Sequence, residues 1–286
     1  MNKVAFVTDS VTSMPADYVK KYNIHVVPNI LIWSGKEYRD WVDMTPSEFN
    51  SRLKTSRELP TTAAAAPDAY REVFARLLAE GYDICAVIVS STMSRTYDSA
   101  REAKETLGAD NITVIDSQTM GMAVGWPILQ GARAAEKGAS LEECADLVRK
   151  GLANTGTIMT VDTLEYLQRS GRIGWGQRYM GTLLNIKPIM EMIDGQIVPV
   201  ERVRTRKKAL AQLVEMTVDK VNGRSPLYIA IGHCDAEKEA KILLDMMREQ
   251  LQPEDYFITE GSPNVGIVAG PGLLVTQFMA GVSDFQ

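Results

Sequence analysis

Residues 84–117, ICAVIVSSTMSRTYDSAREAKETLGADNITVIDS, decide the fold. Ile84 to Val89 is an unbroken apolar run, which suits a strand covered on both faces and not one with a wet side. Ser90-Ser91 ends it, Thr96 to Leu107 reads as a helix, and Ile112 to Ile115 is a second apolar strand that stops at Asp116-Ser117. Apolar strands separated by a helix imply a mostly parallel sheet with helices on both faces.

The pattern extends in both directions. Upstream, Val4 to Val7 is a short strand, Ser13 with Pro15 opens a helix to about Tyr22, and His25 to Ile32 reads as one further strand. Thr45, Pro46, Ser47 and Glu48 form a capping box with proline at the first helical position, and another helix runs from Pro67 to Gly81. Downstream come helices at Gly121 to Glu136 and Leu141 to Leu152. After about Asn154 the grammar changes. Ile189 to Ile193 and Gln196 to Val200 flank Asp194-Gly195, a hairpin signal. A helix at Arg206 to Val221, a strand at Leu227 to Ile231 and a helix at Ala236 to Gln250 follow. The expected fold is α/β with two domains: a parallel α/β/α domain over residues 1–154 and a mixed-sheet α/β domain over 155–286.

The 286-residue chain is 45% apolar and 23% charged, an ordinary globular balance. Its formal charge of -5 argues against a general nucleic-acid binder. No apolar run is long enough to cross a bilayer, and Met1 to Ser10 lacks the pattern of a signal peptide, so a cytoplasmic protein without integral membrane association is expected. Cys85, Cys144 and Cys234 are widely spaced without a CxxC pair, which indicates neither a disulfide framework nor a metal site and suits small buried hydrophobes.

Three strands end in short polar side chains: Thr8-Asp9-Ser10, Ser90-Ser91 and Asp116-Ser117. In a parallel sheet these ends share the carboxyl edge, where ligands of open α/β sheets bind, although each residue also suits a helix cap. Thr61-Thr62 and Ser94-Arg95-Thr96-Tyr97 add hydroxyls and a cation, a set suited to a small polar head group. The sequence has no GxSxG, HExxH, GxxxxGK[ST] or complete dinucleotide fingerprint. Of its two histidines, His233 lies two residues before Asp235 and could serve as a base, but with no evident nucleophile partner a structural role is favoured. Arg169 to Lys208 holds nine basic and three acidic residues, a local excess of six positive charges. Thr205 reads as an N-cap, which places Arg206, Lys207 and Lys208 in a first helical turn, where cations oppose the dipole and suggest an anionic or acidic partner.

These motifs, in order along the chain, resemble the DegV family of bacterial fatty-acid-binding proteins. They are Asp9-Ser10, Pro60-Thr61-Thr62, Ser94 with Thr96-Tyr97, Val114 to Ser117, Leu164 to Leu167 with Ser170 to Ile173, Leu183 to Pro188, Val203 to Leu210 and Gly270-Pro271-Gly272. The resemblance implies a two-domain α/β fold holding a long-chain fatty acid between the domains, no cofactor, and a non-catalytic carrier that presents the carboxylate to a fatty acid kinase. Thr62 and Ser94 match the hydroxyls that bind the carboxylate. Thr61, Arg95, Ser10 and Ser117 complete the expected head-group set, and Arg172, Arg202, Arg204 and Arg206 are the expected partner-docking cations. Three departures stand out: Ala63 to Ala66 where the family's threonine loop continues Ser-Gln-Pro, Arg95 in place of a glycine, and Val268 in place of a histidine. Arg95 is expected to supply the hydrogen bonds that Val268 cannot. Met180, Met190, Met192, Met216, Met246 and Met247 offer adaptable apolar walls for a tail, although any one of them suits ordinary core. The competing expectation is a lipid-processing enzyme, a hydrolase or kinase relative, using His233 and Asp235.

Overall fold

Successive side chains of a strand leave on opposite faces, so an apolar strand with helices on both sides feeds two cores. The computed structural model, which describes residues 3–173 and 186–285, shows this division. Strands β1 (Lys3–Asp9), β2 (His25–Val27), β6 (Tyr82–Ile88) and β7 (Ile112–Asp116) form a parallel sheet in the order β2-β1-β6-β7. Ala5, Val7, Ile84, Ala86 and Ile88 join Tyr70, Phe74 and Leu77 of α3 (Pro67–Ala79) and Ala100 and Ala103 of α4 (Thr96–Leu107). Val4, Phe6, Cys85 and Val87 instead meet Val124, Ile128 and Ala132 of α5 (Met122–Glu136) and Cys144 and Val148 of α6 (Leu141–Leu152).

The mixed sheet takes β8 (Thr155–Thr160), β9 (Lys187–Ile193), β10 (Gln196–Val203), β11 (Leu227–His233), β12 (Asp255–Glu260) and β13 (Leu274–Ala280), in the order β10-β9-β8-β13-β11-β12. Within it only β11 and β12 pair in parallel. Helices α8 (Arg206–Val221) and α9 (Glu237–Gln250) cover one face, with Leu213, Val214, Leu243 and Met247 against Ile229, Ile231 and Phe278. The expected hairpin is present, with Asp194 and Gly195 both in the left-handed region at φ 48° and 77°.

Helix α5 joins the two sheets. Its other side sets Met122, Trp126 and Leu129 against Tyr228, Ala230 and Met279, and so it is buried nearly all round. Gln277 fixes its start by accepting from the Met122 N–H at 3.0 Å and donating to the Met120 carbonyl at 2.8 Å.

The expected single strand from His25 to Ile32 is two strands. β2 ends at Val27, and β3 (Ile30–Trp33) turns away to pair antiparallel with β4 (Lys36–Arg39) and β5 (Thr61–Ala63). Pro28 carries no N–H for a continuing ladder, and Asn29 fastens the break by donating its N–H to Ser10 Oγ at 3.1 Å. α2 (Pro46–Leu53), capped by the Thr45–Glu48 box, and α10 (Pro263–Ala269) pack against this small sheet. Ser13 does not open the next helix: it ends a short 3-10 turn at φ 49°, and α1 (Ala16–Lys21) starts after Pro15. α7 (Glu165–Ser170) completes the helices among the described residues. None of these is long and apolar enough to cross a membrane.

Candidate functional site

At the carboxyl ends of β1 and β6 lies a cavity of about 320 Å³. Its apolar wall comes from both halves of the chain: Val11, Met93 and Met120 from the first, and Met159, Ile197 and Val268 from the second. Thr62, Ser94, Arg95, Arg172, Asn29 and Asn264 supply polar groups.

Each polar residue is placed by local structure. Alternation along β5 puts Thr62 in the cavity wall and leaves neighbouring Thr61 exposed. Ser94 precedes α4, with its hydroxyl 2.6 Å from Thr96 Oγ1, which donates to Asn29 Oδ1 at 3.0 Å. The loop carrying Ser94 is held by the β9–β10 hairpin, because Ser90 Oγ and Thr92 Oγ1 both donate to the Gly195 carbonyl, at 2.8 and 2.5 Å. Arg172 reaches the cavity from beyond α7, donating to the carbonyls of Met93 (3.3 Å) and Ser170 (2.6 Å). The Arg95 side chain is exposed at the rim and makes no hydrogen bond or ion pair among the described residues.

Two buried carboxyl groups lie behind this wall. Asp9 accepts from the N–H groups of Val11 (2.9 Å) and Val89 (2.8 Å), both of which line the cavity. Burial nevertheless outweighs those bonds and raises its pKa to about 6. Asp40 accepts from the Asn264 N–H on Oδ1 at 3.2 Å, while Oδ2 has no hydrogen-bond partner among the described residues. Its pKa is likewise raised to about 6 by burial, against the lowering effect of the nearby Ser10 and Ser262 hydroxyls and the Asn264 amide.

The strand-end residues divide by role. Ser10 is buried behind Asn29 and does not line the cavity. Asp116 braces a turn, accepting from Ser91 Oγ at 2.5 Å and from the N–H groups of Ser91 and Gln118 at 3.1 Å. Ser117 donates to the Thr119 carbonyl at 3.1 Å and faces a separate polar cleft with Glu191 and Lys220.

The basic block also divides. Arg202, Arg204, Lys207 and Lys208 are exposed or nearly so, and Thr205 caps α8 as expected. Arg206 is an internal clamp instead: it makes two bonds to Glu239 at 2.9 and 3.1 Å and one to the Gly272 carbonyl at 2.7 Å. Gly272 itself sits at φ 85° against Asp162, where a Cβ would fall 2.3 Å from Oδ2. Arg178, Met180 and the Leu183-Leu184-Asn185 part of one motif lie outside the described residues. The methionines in the cavity wall are Met93, Met120 and Met159, while Met190 and Met247 belong to core.

His233 and Asp235 do not reach the cavity. They line a different cleft, where His233 Nδ1 accepts from the Ala236 N–H at 3.4 Å and Asp235 pairs with Lys54 at 2.8 Å. Burial lowers the His233 pKa and pushes adjacent Cys234 up to about 12, so that thiol is not a ready nucleophile. All three cysteines are free and buried.

Neither Asn29 nor the three cavity methionines stand out in the sequence. The one signal for Asn29 is Pro28, which interrupts an otherwise continuous strand.

An apolar chamber with hydroxyls and guanidinium groups in its wall, lined by residues of both halves of an α/β chain, has the chemistry of a site for a small amphipathic molecule. The family model of the DegV family, described as uncharacterised protein, matches residues 3–280, and the chain belongs to that family. It is 34% identical to a DegV domain-containing protein of Caldanaerobacter subterraneus subsp. tengcongensis over 95% of this chain and 96% of that protein. Among solved structures it is similar to a DegV family protein of Thermus thermophilus described by its fatty-acid binding, with a TM-score of 0.91, 28% identity, and coverage of 97% of this chain and 99% of that one. DegV of Bacillus subtilis, described as a fatty acid binding protein, gives 0.88 and 28%, covering 98% of this chain and 100% of that one.

Proposed function

We propose that this protein is a non-catalytic carrier of a long-chain fatty acid. The carrying observation is the 320 Å³ cavity with Thr62 and Ser94 in its wall and an apolar remainder. The two similar structures described as fatty-acid-binding support the choice of ligand. Thr62 and Ser94 hydrogen-bond the carboxylate, and Arg172 and Arg95 supply charge to it. Val268 lies in the cavity wall without a polar group, and Arg95 compensates from the rim. Thr61, Ser10 and Ser117 do not line the cavity, and the head-group set proposed here is drawn without them. The tail lies between the two proposed domains, residues 1–154 and 155–286. Burying some 14 methylenes at about 0.8 kcal/mol each gives roughly 11 kcal/mol before ordering and association costs, so the tail dominates affinity and the polar groups set orientation.

In this reading the protein acts in the cytoplasm and presents the carboxylate to a fatty acid kinase. Arg202 and Arg204 dock the kinase, while Arg206 and Arg172 serve the carrier's own structure and ligand. Lipid extracted from the purified protein and identified by mass spectrometry tests the reading. One stoichiometric fatty acid is expected, whereas an empty protein that consumes a lipid ester overturns it. Arg95→Ala is expected to weaken fatty-acid binding, and Arg204→Glu to reduce recovery of the kinase in a pull-down. Unchanged affinity or equal recovery counts against the respective role.

A further inference from the structure

We infer that Asn29 is a further head-group residue, donating from Nδ2 to the ligand carboxylate beside Thr62 and Ser94. The inference rests on the fatty-acid reading above and adds a specificity determinant to it. Asn29 is 2% exposed and lines the cavity. Its backbone is held on both sides, the N–H donating to Ser10 Oγ at 3.1 Å and the carbonyl accepting from the Asp40 N–H at 2.9 Å. Its side-chain oxygen accepts twice, from the Ala65 N–H at 3.0 Å and from Thr96 Oγ1 at 3.0 Å.

These two bonds fix the amide. A backbone N–H can only donate, so exchanging the oxygen and nitrogen of Asn29 would set donor against donor at Ala65. Nδ2 is therefore the free end: it makes no hydrogen bond among the described residues, and Asn29 lines the cavity. A carboxylate oxygen, which only accepts, is the complement of that unpaired donor at the cavity wall.

The same geometry constrains Ser94. Thr96 gives its proton to Asn29, so across the 2.6 Å contact Ser94 is the donor to Thr96. Ser94 serves a carboxylate only by rotating that proton toward the cavity, while its oxygen goes on accepting from the Thr96 N–H at 3.3 Å. Asn29 presents a proton without any rotation. Its bond to a charged carboxylate oxygen is charge-assisted and stronger than the bond it can give to the neutral oxygen of an alcohol, so it favours the carboxylate.

The test compares palmitate and hexadecanol binding by the purified, delipidated full chain and its Asn29→Asp variant. The substitution changes bulk little: it keeps an acceptor for Ala65 and Thr96 but exchanges the free donor for an oxygen. Palmitate affinity is expected to fall about tenfold to a hundredfold, the scale of a lost charge-assisted hydrogen bond, with hexadecanol affected less. Equal palmitate affinity of the two proteins overturns the inference. Should the variant fail to fold, the side-chain amide resonances of Asn29 in the ¹⁵N-labelled wild type are expected to shift on palmitate addition. Their standing still while the Ser94 backbone resonance moves also overturns it. A wild type that binds no palmitate defeats the fatty-acid reading itself, and the inference with it.

Discussion

Asp40 offers a measurable link between burial and stability. It is 0% exposed, with Oδ2 unpartnered among the described residues and its pKa raised from 3.8 to about 6. A carboxyl group with a higher pKa folded than unfolded holds its proton more tightly in the fold. Its contribution is therefore most favourable below the unfolded value, and stability is lost as pH rises from about 4 to about 6. A rise of that size corresponds to about 3 kcal/mol, which the fold gives up once the group is ionised. Asp40→Asn removes the charge, keeps an Oδ1 acceptor for Asn264 and places an NH₂ where Oδ2 lacks a partner, near the Ser10 and Ser262 hydroxyls. The variant should be more stable near neutral pH by up to about 3 kcal/mol, with the gain vanishing by about pH 4. Removing this charge also lowers the Asp9 pKa, which the Asp40 charge helps to raise. Urea unfolding followed by fluorescence across that pH range measures the stability difference directly. Equal stability of the two proteins at neutral pH, or a gain of the same size at pH 4, refutes the reasoning.

Gly195→Ala should lose about 2 to 4 kcal/mol in the same assay, because φ is 77° and a Cβ would lie 2.6 Å from Ser90 Oγ, disturbing the bonds that hold the Ser94 loop. Arg206→Ala should cost about 1.5 to 3 kcal/mol through its lost bonds to Glu239 and Gly272, while Arg204→Glu changes stability by no more than about 0.5 kcal/mol. A reversed order in thermal or urea unfolding would contradict the division between clamp and surface. Val268→Trp places an indole in the cavity wall and should abolish stoichiometric lipid in the purified protein with little change in circular dichroism; lipid retained at the wild-type level counts against the cavity as the tail site.

Elements whose cause is local are readable along the chain. Helices α4 and α8 begin and end where composition and the Thr205 cap place them, and Asp194-Gly195 makes its hairpin because both residues tolerate positive φ. The run from His25 to Ile32 reads as one strand because a short apolar stretch looks alike in either of two sheets, and only the pairing partners of Ile30 to Trp33 distinguish them. The hydroxyl set is legible as residue types, but not its membership: Thr61 and Thr62 look alike until β5 turns one inward.

The sequence by itself determined the alternation of strands and helices, the family, and the polar strand ends at one edge of the sheet. These follow from periodicity, caps and turns, which act over a few residues. Only the tertiary structure decided which of those polar residues face the cavity, that Arg206 is a clamp while Arg204 is exposed, and that Asn29 has one end of its amide committed and the other free. Such assignments depend on groups far apart in the chain, Asn29 with Ala65 and Thr96 and Arg206 with Glu239 and Gly272, and residue type alone does not fix what a side chain meets across that distance.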